Sequence, residues 1–194
     1  MMTRVSFILW ALMLVTWCAM RYPAMRRARR QKTRVDRRST LDISLLAFCT
    51  FALVVMPIVW RLHLLDGVAD REQGLLPMIL GTLTGIAFLW LFRRSHKDLG
   101  KNWSVTLEVR EGHQLVTGGV YAHVRHPMYA SFLLWGITQA LLIPNWIAGV
   151  AGLVAVLALY AVRQSREEAM MRETFGAEYD AYCARTKRLV PGIF

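Results

Sequence analysis

Apolar residues in this chain come in long blocks rather than at the spacing of an amphipathic soluble fold. Three uncharged runs, at residues 5–20, 43–60 and 75–92, approach helix-spanning length. A hydrocarbon core about 30 Å thick calls for about 20 such residues. Two further runs, 128–143 and 146–162, are joined by Pro144-Asn145, a pair that punctuates a turn. They predict a helical hairpin whose first arm is short enough to tilt little or to thin the bilayer locally. Beyond them, residues 163–182 carry acids and bases at helical spacing, with Met170, Met171, Phe175, Tyr179 and Tyr182 available for an apolar face. That pattern predicts an amphipathic helix at the membrane surface, weakened midway by Gly176. The expected fold is therefore all-α: five transmembrane helices, a hairpin for spans four and five, and an interfacial C-terminal helix.

Charge orients these elements. The chain of 194 residues is 55% hydrophobic with a formal net charge of +11. Residues 21–38 hold nine Lys or Arg against one acid, between two apolar blocks. A basic run in that position marks the cytoplasmic face, so the N-terminus is expected outside. Residues 61–74 balance Arg61 and Arg71 against Asp66, Asp70 and Glu72 and are expected outside. Residues 93–127, and those after 162, carry six basic residues each and are expected inside. Five spans satisfy the positive-inside rule at every loop. The first run lacks a small-residue cleavage site and is followed at once by the basic run, so it reads as a retained helix. The same placement, with no nucleic-acid-binding motif, excludes nucleic acid as a partner. Cys18, Cys49 and Cys183 are too few and too dispersed for a disulfide framework.

Two stretches carry more polar, aromatic and glycine punctuation than a connector needs. In the first, Gly118-Gly119 offers freedom for positive φ. Pro127 then forces His126 out of the α region and suits the first turn of a helix. The chain thus arrives extended and turns into a helix whose unpaired N–H groups suit a carboxylate, beside His126 and Tyr129. In the second stretch Arg163 and Glu167, four residues apart, share one helix face where the fifth run leaves the membrane. Such a pair can grip a molecule with both an amine and a carboxylate; it can equally be a snorkelling arginine and an ordinary ion pair, as can Glu168 with Arg172. His123 and His126 have no Cys or acid at ligand spacing to complete a metal site. Rossmann and P-loop signatures are also missing.

In order, His113-Gln114-Leu115-Val116, Gly119-Val120-Tyr121, Arg125-His126-Pro127-Met128-Tyr129, Arg163 with Glu167-Glu168, Phe175-Gly176 with Tyr179 and Tyr182, and Leu189-Val190-Pro191 resemble the isoprenylcysteine carboxyl methyltransferase family. His96-Lys97-Asp98-Leu99-Gly100 and Asn102-Trp103-Ser104 further resemble its short prokaryotic members, so the match runs from about His96 to Pro191. The resemblance implies a five-helix membrane enzyme of a prokaryotic cell membrane, with S-adenosylmethionine as methyl donor. It places His113, Leu115, Val116, Tyr121, His126, Pro127, Met128, Tyr129 and Glu167 around the donor, and Arg163 at the substrate carboxylate. The chain departs from the eukaryotic pattern at Thr106, where those enzymes carry Gln.

The resulting expectation is a carboxyl O-methyltransferase acting on a lipid-attached small-molecule or peptide carboxylate among membrane lipids. Its catalytic side is cytoplasmic and its catalytic residues are Arg163 and Glu167. Residues 1–92 form three helices, and 93–194 the catalytic region. The rival readings are a phospholipid or amine N-methyltransferase, an NADPH-dependent membrane reductase and a non-catalytic scaffold.

Overall fold

A computed structural model describes residues 1–29, 33–36, 39–103, 108–110 and 114–193. Helix α1 (Met2–Arg29) is followed by a short strand β1 (Thr33–Asp36). Next come α2 (Thr40–Thr50), a π-helical turn (Phe51–Val55) and α3 (Met56–Arg61), continuous as one rod. Helix α4 (Leu75–Leu99), strand β2 (Glu108–Arg110), α5 (Pro127–Leu142), α6 (Trp146–Phe175) and α7 (Ala177–Arg185) complete the order. Among the described residues, four helices are long and apolar enough to cross a membrane: Met2–Ala28, Thr40–Arg61, Leu75–Leu99 and Trp146–Phe175. Leu12, Val15, Leu83, Ile86 and Val154 on them are exposed, as lipid-facing surface must be and as a soluble surface rarely is. The protein is an integral membrane protein.

Helix α5 has 16 residues, about 24 Å at 1.5 Å per residue, the short arm that the apolar pattern predicts. Two details differ from the sequence expectation. The C-terminal amphipathic segment does not begin a new helix after Val162. Helix α6 runs unbroken to Phe175, and the break falls at Gly176, whose φ of 53° opens the way to α7. Finally, the fold is not purely helical. Strands β1 and β2 pair antiparallel, with Val35 opposite Val109 and Asp36 opposite Glu108.

Helix α5 sits at the centre, packed on α1, α4 and α6, while the α2–α3 rod packs mainly on α6. Small residues permit the close approach. A Cβ on Gly136 of α5 would lie 2.7 Å from the Leu153 Cα of α6, and one on Gly81 of α4 would lie 2.8 Å from Leu142. In lipid, where apolar surface gains nothing by pairing, such backbone proximity is a main source of helix association. Trp135, fully buried, stacks on Phe88 of α4 at 4.9 Å and on Trp10 of α1 at 6.0 Å between ring centroids.

Proline explains the π-helical turn and its partner. In π register the Ala52 carbonyl would accept from residue 57, and Pro57 has no N–H. Gln139 of α5, fully buried, donates to that carbonyl at 2.9 Å and to the Ala148 carbonyl of α6 at 2.8 Å. One side chain therefore ties three helices. At one end of the bundle the loop of residues 62–74 clamps the α5–α6 connection. Asn145 caps α6 through its Oδ1 and donates from Nδ2 to the Val68 carbonyl and to Asp70. Arg71 donates to carbonyls at the C-terminus of α5, including Ala140 and Leu141, groups that a helix end leaves without partners. The opposite end, where α5 begins and α6 continues past residue 162, holds the polar cluster described next.

Candidate functional site

The cluster begins with a tight turn. Gly119 has a φ of 63°, and a methyl group there would collide with the Asp98 carboxylate. Glycine is therefore required both by conformation and by space. Val120 N–H donates to Asp98 Oδ2 at 2.9 Å, tying the turn to α4. This swings Tyr121 inward, where the Tyr182 hydroxyl of α7 donates to its carbonyl at 2.6 Å. Burial pushes the Tyr121 phenol well above its ordinary pKa and the Tyr182 phenol up to about 12. At physiological pH both are neutral hydrogen-bond donors rather than bases.

The chain next runs beside the C-terminal tail. Arg125 N–H donates to the Lys187 carbonyl at 2.8 Å, and His126 N–H to that of Arg188 at 2.9 Å. The Arg125 guanidinium also reaches the Cys183 and Thr186 carbonyls at the end of α7. Its Nε lies 3.3 Å from Glu168, which is 2% exposed and also receives His126 Nε2 and Arg188 Nε, both at 3.2 Å. The hydrogen bond to Glu168 holds Arg188 more firmly charged than usual. A carboxylate with two guanidiniums is an acceptor, so the His126 proton belongs on Nε2. That leaves Nδ1 facing Glu167, whose Oε2 is 3.9 Å away. Glu168 is thus the anchor of the polar end, locking α6, the α5 entry and the tail together.

Glu167 has different company. Its Oε1 accepts from the Tyr129 hydroxyl at 2.7 Å and meets Arg163 NH2 at 3.2 Å. Arg163, 5% exposed, also approaches Asp42 on α2, Nε to Oδ1 at 3.9 Å. Glu167, Tyr129 and Arg163 border a cavity of about 600 Å³. Leu115, Val116, Tyr121, His126, Pro127, Met128, Tyr129, Arg163 and Glu167 all line it, so every expected site residue except His113 meets at one void. His113 and Thr106 lie outside the described residues. Asn102 helps deliver the loop, its Nδ2 donating to the Gln114 carbonyl at 3.2 Å.

Sequence reasoning missed the rest of the lining. Trp17 and Arg21 of α1, and Leu46, Cys49 and Leu53 of the α2–π rod, extend the cavity between the spanning helices. Met170, Met171, Tyr179 and Tyr182, first read as the face of a surface helix, also point into it. Apart from Arg21, which opens the basic run, only the absence of charge hinted at the first group, and that signal is common to every buried face. The cavity therefore joins two chemistries. A wall of Arg163, Glu167, His126 and tyrosine hydroxyls can bind a zwitterion or an anion, while an apolar extension among the helices can take a hydrocarbon chain.

Residues 79–173 match the model of the isoprenylcysteine carboxyl methyltransferase (ICMT) family. Protein-S-isoprenylcysteine O-methyltransferase B of Arabidopsis thaliana is 35% identical over 96 residues, 48% of this chain and 49% of that protein. The A form is 32% identical over 120 residues, 62% of this chain and 58% of the relative. The Homo sapiens protein-S-isoprenylcysteine O-methyltransferase is 36% identical over 92 residues, 47% of this chain and 32% of its own length. The chain spans about half the length of the plant relatives. A solved structure of the eukaryotic intramembrane Ras methyltransferase ICMT superposes with a TM-score of 0.57 at 25% identity, covering 76% of this chain and 52% of that one. In sequence through residues 79–173, and in fold beyond them, the chain is similar to the isoprenylcysteine carboxyl methyltransferase family.

Proposed function

We propose that this protein is an S-adenosylmethionine-dependent carboxyl O-methyltransferase acting on a lipid-modified, isoprenylcysteine-like carboxylate at the membrane interface. The observation that carries this reading is the Arg163–Glu167 pair, 3.2 Å apart on the wall of a cavity that continues among apolar helices. A lipid-attached carboxylate needs a cation for its head and a dry sleeve for its tail, and both occur here in one void. The relatives' names, which specify isoprenylcysteine, support the same acceptor class.

The residues fit the donor. A void of about 600 Å³ lies within the usual range for small-molecule sites. Glu167, steadied by the Tyr129 hydroxyl, suits an ammonium or ribose hydroxyls, and the Tyr121 and Tyr129 rings offer faces to a cation. When bound, S-adenosylmethionine would supply a methyl group on a sulfonium for displacement by a carboxylate oxygen, the S–CH3 bond breaking to leave the neutral thioether S-adenosylhomocysteine. The acceptor, with a pKa of about 4, is already ionised at neutral pH, so the chain needs no general base and its neutral tyrosines are no handicap. Arg163 orients the acceptor anion. Pro127, Met128, Met170 and Met171 exclude water around the aligned groups.

We further infer a five-span topology in which α5, sheltered by α1, α4 and α6, completes the crossing despite its length. The site then faces the cytoplasm under the positive-inside rule, in a prokaryotic cell membrane as the resemblance implies. Residues 93–194 form the catalytic region, and helices from 1–92 close its apolar side. The rival readings lose support. An amine acceptor would have to shed a proton beside Arg163. NADPH would need free basic groups in the 93–125 loop, and two of them are already engaged, Arg94 with Asp98 at 3.6 Å and Arg125 with Glu168.

Calorimetry of the detergent-purified protein tests this. S-adenosylhomocysteine should bind and NADPH should not; binding of NADPH alone overturns the reading. Arg163→Ala should lower turnover of farnesyl- or geranylgeranyl-cysteine analogues about a hundredfold, roughly 2.7 kcal/mol, and spare S-adenosylhomocysteine. Glu167→Ala should weaken S-adenosylhomocysteine about tenfold, as expected for loss of a charge-assisted contact. Wild-type behaviour of both variants would refute the assigned roles.

A further inference from the structure

We infer that Asp42, on the first turn of α2, is a positioning residue for Arg163 and sets how well the enzyme recognises its carboxylate acceptor. The inference rests on the methyltransferase reading above and adds a residue from outside the stretch that matches the family model, residues 79–173.

Asp42 has no accessible surface, although it is charged and lies near the end of a helix. Half of its bonding is local. Ser39 is the N-cap of α2, its Oγ accepting from Asp42 N–H at 3.2 Å, while Ser39 N–H and Oγ donate to Asp42 Oδ2 at 3.1 and 2.7 Å. This reciprocal capping box uses Oδ2. The other oxygen, Oδ1, turns outward to α6, where Arg166 NH1 donates at 2.9 Å and Arg163 Nε stands at 3.9 Å. Arg163 thus has an anion on each side: Asp42 behind its Nε edge, and Glu167 in front of NH2 at 3.2 Å. If the rear anion is removed, the pull of Glu167 on the guanidinium loses its counterweight, and the fork turns towards the donor-side carboxylate and away from an incoming anion. A guanidinium recognises a carboxylate through a fixed planar fork, so that rotation costs acceptor binding rather than donor binding. Full burial of Asp42 sharpens the effect, because solvent does not screen the pair.

The test compares three variants of the full chain, each read for S-adenosylhomocysteine affinity and for KM and kcat on a prenylcysteine analogue. Asp42→Asn keeps the size and the acceptor that serves the cap but removes the charge. It should raise acceptor KM about tenfold, roughly 1.4 kcal/mol, with S-adenosylhomocysteine affinity within about twofold of wild type. Ser39→Ala removes the cap but leaves the charge, and should leave acceptor KM unchanged. Arg166→Gln withdraws the competing cation while Asp42 stays, so acceptor KM should hold or fall, and this variant keeps the test open if Asp42→Asn does not fold. An equal KM rise in Ser39→Ala and Asp42→Asn would reduce Asp42 to a helix cap and overturn the inference. So would a tenfold KM rise in Arg166→Gln, or a loss of S-adenosylhomocysteine binding in Asp42→Asn. Failure of the wild type to bind S-adenosylhomocysteine or to methylate any carboxylate strikes instead at the underlying reading.

Discussion

Adjacent on α6, Glu167 and Glu168 project about 100° apart around the helix, and that rotation separates a cavity carboxylate from one enclosed by Arg125, His126 and Arg188. Removing the charge of the buried Glu168 leaves the half-buried Arg125 and Arg188 without their counterion, a change that costs about 3 kcal/mol. Glu168→Gln should therefore lower the melting temperature in detergent sharply. Glu167→Gln, at a carboxylate more exposed on the cavity wall, should lower the melting temperature less and weaken S-adenosylhomocysteine affinity more, so thermal melts and calorimetry on both variants separate the two tasks. Gly119→Ala should cost about 1–3 kcal/mol from the strained φ and also weaken S-adenosylhomocysteine, because relief of the Asp98 contact moves Tyr121. Spacing along the chain suggested Arg172 as the Glu168 partner. The structure puts it at 3.9 Å and brings in closer partners 43 and 20 residues away. The His126-Pro127 entry was legible because its chemistry is local. The Glu168 cluster was not, because tertiary folding assembles it, and the donor-site list came from family resemblance rather than from spacing.

Hydropathy locates helices in a membrane protein better than it locates their ends. The apolar run stops at Val162, yet α6 continues through Arg163 to Phe175, because charged residues change the solvent a helix prefers without breaking its hydrogen bonds. The break needed Gly176, where the sequence had already marked a weak point. Strands β1 and β2, four and three residues long, were illegible because runs so short show no periodicity. The π-helical turn was equally hidden: Pro57 signals a missing donor, but nothing local signals that Gln139, 87 residues away from Ala52, will supply it. Gln139→Leu should destabilise the protein by about 1–2 kcal/mol, since a carbonyl is then orphaned in an apolar setting. Pro57→Ala restores an N–H to that register. In the double variant the loss from Gln139→Leu should shrink by at least half, a coupling that a cycle of four detergent melts measures. Strict additivity would show that the glutamine serves α6 alone.

At the scale of the whole molecule, α5 and α6 are fastened at both ends by different chemistry, and pH separates the two. The site end depends on buried ion pairs around Glu168, the far end on a clamp in which Asp70 accepts from Asn145 at 2.9 Å, from the Trp60 indole at 3.0 Å and from Gly67 N–H at 3.0 Å. The Asn145 hydrogen bond, followed by those of Trp60 and Gly67, holds the Asp70 carboxyl below the usual carboxylate range. A group whose pKa is depressed on folding stabilises the fold above its unfolded value, about 3.9 for aspartate, and that contribution disappears as pH falls through the folded value. Wild type should therefore exceed Asp70→Asn in melting temperature by a constant margin from pH 5 to 7, and the margin should close below about pH 4. Parallel curves through that acid range would mean that the clamp adds no charge-dependent stability. Because the clamp lies at the opposite end of α5 and α6 from Glu167, the same variant should bind S-adenosylhomocysteine as wild type does at neutral pH. A weakened affinity would reveal that the clamp at the far end governs the register in which α6 presents Arg163 and Glu167 to the cavity.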